Sequence, residues 1–186
     1  MFNERKAAQV ATWFLRQNQG RMPHLKLIKL MYLAERSAMD KHGMLITGDR
    51  FVSMDQGPVP SLTLSYLNGE KQCGKDGWDA WISDKANHQV ALVARAEVDA
   101  LDELSAIEID VLVDVWKKFG SMDKWALIDY LHDSKNCPEW KDPEGSSFAI
   151  AYDAIFRALG RSTDEAARLA ERVEEQRNID KVFASL

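Results

Sequence analysis

The chain has 186 residues, of which 46% are hydrophobic and 28% charged, and its formal net charge at pH 7 is −5. This length favours one domain with a single sizeable core, and the composition is that of an ordinary soluble globular protein. No apolar run approaches the ~18 residues that a membrane-spanning helix requires, so we do not expect a membrane protein.

The first residues of the chain are polar and lack the apolar stretch and the cleavage site of a signal peptide. We therefore expect the protein to remain in the cytoplasm. In that reducing compartment the two cysteines, Cys73 and Cys137, are expected to be free thiols.

The charged residues are distributed unevenly along the chain. Residues 1–50 contain nine basic and four acidic side chains, whereas residues 97–114 contain seven acidic side chains and no basic one. Such asymmetry can steer a charged partner, or it can reflect two faces that complement each other within the fold. We favour the second explanation.

The N-terminal part of the chain is predicted to be helical. Asn3 can cap a first helix that ends near Gly20, and Pro23 separates this helix from a second one. The second helix is expected to lie at the centre of the domain, because its apolar residues cover a wide arc of its surface. Glu35 falls inside that arc, where a carboxylate needs a hydrogen-bond donor or a cation, and Gly43 ends the helix.

Two short strands are predicted, over residues 50–54 and 89–94, and we expect them to pair with each other. Residues 57–60 read Gly-Pro-Val-Pro and are expected to form a rigid corner, because two prolines fix φ twice and withhold two backbone donors. A short helix is predicted over residues 61–67.

Three helices are predicted between residues 105 and 159. The first begins at Ser105, which can form a capping box with Glu108, and the second begins at Ser121. Two prolines forbid a helix over residues 136–145, and the third helix covers residues 148–159. The residues expected to face inward are Ile107, Val111, Val115, Phe119, Trp125, Ile128, Leu131, Phe148, Tyr152, Ile155, Phe156 and Leu159.

The last helix begins at a second capping box, which starts at Ser162. Its apolar stripe is narrow, so it is expected to lie on the surface. The stripe consists of Ala166, Leu169, Ala170 and Val173. The apolar residues between 179 and 186 do not continue the stripe, so the end of the helix is expected to bend away or dock elsewhere.

These elements predict a mainly α protein. We expect a compact single-domain helical bundle with a small two- or three-stranded β element and a C-terminal surface helix. Residues 1–160 would form the domain, and residues 161–186 a C-terminal helical extension.

The sequence contains no pattern that predicts a catalytic, cofactor or metal site. His132, Asp133 and Ser134 are the residue types of a hydrolytic triad, but adjacent residues cannot converge on one reacting atom. His132 and Cys137 lack the second pair of ligands that a structural zinc ion requires. We therefore predict no cofactor and no enzyme activity.

A modest basic cluster lies at the junction of the first two helices. It consists of Arg16, Arg21, His24, Lys26 and Lys29. Binding to a nucleic-acid backbone needs several such charges on one face, and the overall acidity of the chain argues against it. Nucleic acid is therefore not an expected partner.

Several short segments of the chain resemble one known family in their order and separation. They are residues 26–34, His42-Gly43, Ile46-Thr47-Gly48, Phe51, Gly57-Pro58-Val59, Leu104-Ser105 with Glu108, Tyr130-Leu131-His132 and Pro138-Glu139-Trp140. Over about residues 2–159, the chain thereby resembles the Panacea family, the SocA-like antitoxin domain.

The resemblance implies a mostly helical domain that is encoded beside a toxin and neutralises it by direct contact. It also implies that the toxin's identity does not transfer, because the same domain partners with many unrelated toxins. One member of the family works as an adaptor that delivers its toxin to an ATP-dependent protease. The resemblance supplies no catalytic residues.

We therefore predict an antitoxin whose partner is a protein toxin. If the antitoxin acts as an adaptor, an ATP-dependent protease is a second partner, and the sequence is also compatible with a homo-oligomer. The partner-binding candidates are Lys29, Tyr32, Gly57, Pro58, Val59, Trp140, Leu169, Val173 and Phe183. Trp78 and Trp81 are further candidates for exposed aromatic contacts, although for each of them we favour packing in the core or against a loop.

Two alternatives stay open. One is a small enzyme or ligand-binding protein that uses His132, Glu35 or Tyr32 in a pocket near the Gly57-Pro58 corner. The other is a DNA-binding autoregulator, which is less favoured because the chain has no separate basic helix-turn-helix module.

Overall fold

The computed structural model describes residues 1–93, 96 and 100–183. Within these residues the α-helices are α1 (Glu4–Gln17), α2 (His24–His42), α3 (Ser61–Leu67), α4 (Ala106–Phe119), α5 (Lys124–His132), α6 (Tyr152–Ala158) and α7 (Thr163–Phe183). The strands are β1 (Arg21–Pro23), β2 (Phe51–Met54), β3 (Gly57–Pro60), β4 (Gln89–Ala91) and β5 (Phe148–Ile150). The protein is thus mainly α, with two small sheets.

Helix α2 lies at the centre of the fold, as its wide apolar arc predicts. It contacts every helix from α1 to α6 and also strands β1 and β3. Leu27, Ile28 and Leu30 on this helix are fully buried. The helix ends at Gly43, which adopts the left-handed conformation with φ of +66°.

The predicted pairing of the two strands is wrong. Strand β2 pairs with β3 on one side and β5 on the other, whereas β4 pairs with β1, all antiparallel. Residues 57–60 form a strand because the two-residue turn after Met54 folds them back onto β2. Their prolines are tolerated because β3 is an edge strand. Ala94, the end of the predicted second strand, lies outside the described residues.

Two residues that were predicted to face inward from the helices beginning at Ser105 and Ser121 do not. Ile107 and Trp125 are both 56% exposed, and Leu112 and Leu127 are buried instead. Helix α5 is capped by Asp123, whose carboxylate accepts the amide hydrogens of the first residues, and not by Ser121. Leu127, Ile128 and Leu131 form the buried face of α5, and at about 100° per residue Trp125 lies beyond the edge of that face.

The predicted helix over residues 148–159 is shorter than expected. Phe148 belongs to β5, where it pairs with Ser53 and is 50% exposed, and the helix begins at Tyr152. Helix α7 continues to Phe183, so the chain stays helical beyond residue 178 within the described range. Leu186 lies outside that range.

The acidic segment forms ion pairs with the basic N-terminal part of the chain. Arg5 lies 2.9 Å from Asp102, Lys6 lies 2.6 Å from Glu108, and Lys41 lies 2.5 Å from Asp114. For these pairs the explanation of two complementary faces is confirmed. Glu97 and Asp99 lie outside the described residues.

The two cysteines are free thiols, as predicted, with Cys137 buried and Cys73 partly exposed. None of the helices in the described ranges combines the length and the apolarity needed to cross a lipid bilayer.

Candidate functional site

The predicted partner-binding residues lie in two different parts of the fold. The hairpin group surrounds strands β2 and β3 and comprises Lys29, Tyr32, Gly57, Pro58, Val59 and Trp140. The helix group lies on α7 and comprises Leu169, Val173 and Phe183.

Lys29 lies beneath the hairpin and is only 1% exposed. Its Nζ donates a hydrogen bond to the carbonyl oxygen of Pro58 at 3.1 Å. Gly57, with φ of +98°, passes close to the same amine, and a Cβ at this position would lie 3.3 Å from the Lys29 Nζ. Burial lowers the pKa of Lys29 to about 7, because the ammonium ion loses its hydration there.

His132 and Trp140 also pack against the hairpin. Their rings stack with centroids 4.0 Å apart, and the Trp140 Nε1 donates a hydrogen bond to the carbonyl oxygen of Met54 at 3.0 Å. The Nε2 atom of His132 is buried without a hydrogen-bond partner among the described residues. Burial lowers the pKa of His132, and the nearby charge of Lys29 lowers it further.

Glu139 connects the segment that carries Trp140 to helix α2. Its carboxylate accepts hydrogen bonds from the hydroxyl of Tyr32 at 2.8 Å and from the Nε of Arg36 at 2.5 Å. The Glu139 side chain is fully buried. Burial raises the pKa of Tyr32 well above its usual value, so the hydroxyl keeps its proton and remains a donor.

These contacts hold the hairpin in place but leave little of the hairpin group at the surface. Lys29, Tyr32 and Val59 are at most 3% exposed, and Gly57 and Pro58 are also buried. Of these six residues, only the half-buried Trp140 offers a partner protein an accessible side chain.

The core packing favoured for Trp78 and Trp81 is confirmed, so neither is an exposed contact for a partner. Their side chains are 2% and 1% exposed, because the short 3₁₀ turn at residues 78–80 directs both rings into the core. The Trp81 Nε1 donates a hydrogen bond to the carbonyl oxygen of Asp76 at 3.3 Å.

The basic cluster considered for nucleic acid does not form one face. The Nζ of Lys26 is buried and donates to the carbonyl oxygen of Gly120 at 2.6 Å, while Lys29 lies under the hairpin. Arg16 donates to the carbonyl oxygen of Ala96. Only Arg21 and His24 of this cluster remain at the surface without such a buried contact.

The helix group borders a groove of about 770 Å³, which we call the terminal groove. Its walls are residues 1–6, the loop residues 43–48, 74, 76 and 77, and residues of α7 between 172 and 180. The apolar part of its lining comprises Phe2, Met44, Leu45, Ile46 and Val173. Leu169 lies one turn earlier on α7, next to Gly43, and the side chain of Phe183 lies outside the described residues.

Two carboxylates fix the loops that form the groove. Glu35 accepts hydrogen bonds from the backbone amides of Ile46 and Thr47, both at 2.8 Å, and from the Thr47 hydroxyl. Burial raises the pKa of Glu35 to about 7, although these donors act in the opposite direction. Glu4 accepts the backbone amide of Trp78 at 2.7 Å. The structural role predicted for Glu35 is confirmed.

Helix α7 is anchored along the opposite wall of the groove. The guanidinium group of Arg177 lies 5.8 Å from the ring centroid of Tyr152, and the carboxylate of Asp180 lies 2.6 Å from the amino group of Met1. Val173 packs into the core with 5% of its surface exposed. The helix is therefore a fixed wall of the groove.

Sequence reasoning missed most residues of the terminal groove. Phe2, Met44 and Gln176 come together only in three dimensions, and their spacing along the chain gives no signal. Arg177 has the spacing of an exposed charge pair with Glu174, and the pair does form at 3.0 Å. Arg177 is nevertheless only 5% exposed, because Tyr152 covers its guanidinium group.

Among the residues that the structure describes, no group of three or more histidine, cysteine, aspartate or glutamate side chains could hold a metal ion. The ring of His132 stacks on Trp140, whereas the carboxylate of Asp133 accepts the backbone amide of Lys135. An apolar floor with polar walls, at this volume, suits the groove to hold part of a partner molecule.

The structure is that of a mainly α domain with two small sheets and a groove between the N-terminal segment, the loops and helix α7. The chain belongs to the antitoxin SocA-like Panacea domain family, whose model matches residues 27–141. Comparisons with curated proteins and with solved structures found no significant match. The match covers the hairpin group and the groove loops at residues 43–48 and 74–77, while residues 1–6 and helix α7 lie outside it.

Proposed function

We propose that the protein is a cytoplasmic antitoxin that neutralises a protein toxin by direct binding and not by catalysis. The observation that carries this proposal is membership of the antitoxin SocA-like Panacea domain family. Residues 1–160 act as the family domain, and residues 161–186 act as an extension that shapes the binding surface.

The terminal groove is the surface at which the toxin docks. Three features support this assignment: the groove's volume of about 770 Å³, its apolar floor, and loops that are held by buried hydrogen bonds. Its lining also includes an exposed apolar side chain, since Met44 is 57% exposed. A preformed groove of this kind binds a partner with little loss of its own conformational entropy.

Co-expression tests the proposed function. The protein is produced together with the product of the gene adjacent to its own, under conditions in which that product alone stops growth. We expect growth to be restored and the two proteins to purify as one complex, whose mass also gives the stoichiometry. Absence of both rescue and complex would overturn the proposal.

A matched pair of variants tests the docking surface. Met44→Glu places a charge on the rim of the groove, whereas Ile107→Glu places one on an equally exposed apolar residue outside it, at 57% and 56% exposure. We expect Met44→Glu to weaken the complex at least tenfold and Ile107→Glu to leave it unchanged. If both variants change the affinity equally, the groove is not part of the interface with the toxin.

Neutralisation can proceed by masking the toxin or by delivering it to an ATP-dependent protease. Masking leaves the toxin's half-life in cells unchanged or longer, whereas delivery shortens it in a protease-dependent way. The exposed side chain of Ile179 is the accessible apolar contact for a protease on α7. If α7 serves delivery, Ile179→Glu lengthens the toxin's half-life while the purified complex still forms.

A further inference from the structure

A second surface combines basic and aromatic side chains near the start of α2 and the start of α5. We call it the ring patch, and it consists of His24, Lys85, His88, Lys124 and Trp125. None of these residues lines the terminal groove. The patch is therefore not used by the proposed toxin contact.

Basic side chains surround His24 in the ring patch. The pKa of His24 is lowered, chiefly by burial, and the neighbouring Lys85, His88 and Lys124 lower it further. The carboxylate of Asp123, next to Lys124 in the chain, adds one negative charge in this region and caps α5, where it accepts two backbone amides at 2.9 and 2.8 Å.

The two lysines of the ring patch differ from several basic residues of the segment 1–50. Arg5, Lys6 and Lys41 are paired with acidic side chains, and Lys26 and Lys29 are buried against backbone carbonyl groups. In the ring patch, by contrast, the ammonium group of Lys85 donates to a neutral amide, that of Asn68. Lys85 and Lys124 form no ion pair among the described residues, so both ammonium groups are available to an anion that approaches within about 10 Å, the range that screening leaves to electrostatic attraction.

Three flat rings lie among these charges. The imidazoles of His24 and His88 stack with centroids 5.8 Å apart and planes inclined by 22°. The carbonyl oxygen of His88 accepts hydrogen bonds from both the backbone amide and the ring of His24, each at 3.0 Å. The indole of Trp125 is 56% exposed, and the Lys124 ammonium lies 4.8 Å from its centroid.

The backbone that presents His88 is strained. Asn87 and His88 have φ of +50° and +60°, and they form the two-residue turn between the paired residues Ala86 and Gln89. Such turns favour Asn followed by Gly, because glycine adopts a positive φ without steric cost. A histidine in the second position raises the energy of the turn, and strain of this kind accompanies functional side chains.

We propose that the ring patch binds single-stranded nucleic acid. The indole and the imidazoles stack with nucleobases, and Lys85 and Lys124 contact the phosphates. The rings favour nucleic acid over an acidic protein segment. An acidic segment would contact only the cations, whereas a nucleic acid carries both phosphates that bind the cations and flat bases that stack on the rings. This function is additional to toxin neutralisation and does not depend on it.

Fluorescence anisotropy with a labelled oligothymidine of about 12 nucleotides tests the proposal, since one such surface covers a site of roughly 4–16 nucleotides. We expect Trp125→Ala to weaken binding by roughly 5- to 150-fold, as expected for loss of one stacked base. Lys124→Glu weakens binding and lowers its salt dependence. Lys117→Glu is the control, because Lys117 is 72% exposed and lies outside the patch.

His88→Gly separates a functional role from a structural one. Glycine relieves the strain of the turn, so we expect the midpoint of thermal unfolding to rise, while loss of the ring weakens binding several-fold. A purely structural histidine would change stability and leave binding unaffected.

Three outcomes overturn the proposal. They are no binding of the oligothymidine at millimolar concentration, equal binding by the patch variants and the Lys117→Glu control, and binding of polyglutamate but not of the oligothymidine. The last outcome assigns the surface to an acidic protein partner instead. Because the co-expression test uses a different surface, its result is independent of this one.

Discussion

The carboxylate of Glu139 lies 2.5 Å from the Nε of Arg36, and both side chains are largely buried between helix α2 and the loop that carries Trp140. Removing one partner of such a pair leaves an uncompensated buried charge. We therefore expect Glu139→Ala to lower the free energy of unfolding by about 3–5 kcal/mol, measured by urea denaturation.

The control for this substitution is Asp153→Ala. Asp153 pairs with Arg157 at 2.9 Å on the exposed face of α6, where solvent screens the charges. We expect Asp153→Ala to lower the free energy of unfolding by no more than about 0.5 kcal/mol. Similar losses for both variants would contradict a specific role for the buried pair.

Gly48 lies directly against the N-terminal segment. A Cβ at this position would lie 2.5 Å from the carbonyl oxygen of Met1, and Gly48 has φ of +72°. Gly69 has almost the same φ, +71°, but no atom within 4 Å of the position of its Cβ. We expect Gly69→Ala to cost about 1–2 kcal/mol from backbone strain alone. We expect Gly48→Ala to lower the free energy of unfolding clearly more than Gly69→Ala and to make residues 1–3 accessible to limited proteolysis. Equal losses of stability in the two variants would contradict close packing of this segment.

The parts of the fold that the sequence predicted are those with a strong local signal. Asn3, Ser105 and Gly43 mark helix ends through their own hydrogen bonds or backbone conformation, and the structure places all three as predicted. The wide apolar arc of α2 likewise required burial on several sides. Local chemistry was sufficient in each case.

The errors arose where tertiary contacts decide. Strand pairing depends on the turn that brings residues 57–60 back to β2. The sequence did not predict this strand, because it contains two prolines and proline is rare in sheets. Lys29 and Tyr32 stand out in the sequence, yet only the packed structure shows that both are buried. The terminal groove joins the two ends of the described chain, and no local pattern encodes such a contact.

The amine of Lys29 should make stability depend on pH above neutrality. The folded protein releases this proton at about pH 7, whereas the unfolded chain releases it near pH 10.4. Between these values the unfolded chain binds more protons at this amine, so Lys29 contributes a rise in the free energy of unfolding of up to about 1.4 kcal/mol per pH unit. The thiols of Cys73 and Cys137, whose pKa values are raised by burial, contribute the opposite slope above about pH 8.5. Lys29→Met should abolish this rise, and the exposed-site control Lys117→Met should retain it. A rise that persists in Lys29→Met would contradict the lowered pKa.

Glu35 should produce the opposite slope below neutrality. Its folded pKa is about 7, whereas the unfolded chain has a pKa near 4.3 at this side chain. The folded state therefore binds more protons between these values, and the free energy of unfolding falls as pH rises through this window. Glu35→Gln removes the titrating group, so the slope just below pH 7 should disappear.

The same variant should also be less stable at every pH, because an amide offers one oxygen to the three donors of Ile46 and Thr47. Asp49, whose pKa is also raised by burial, retains its share of the acid-side slope in both proteins. Urea denaturation at a series of pH values measures the effect, with the exposed Glu171→Gln as control. If Glu35→Gln keeps the wild-type slope near pH 7, the carboxylate is ionised throughout this range, and its three donors outweigh burial.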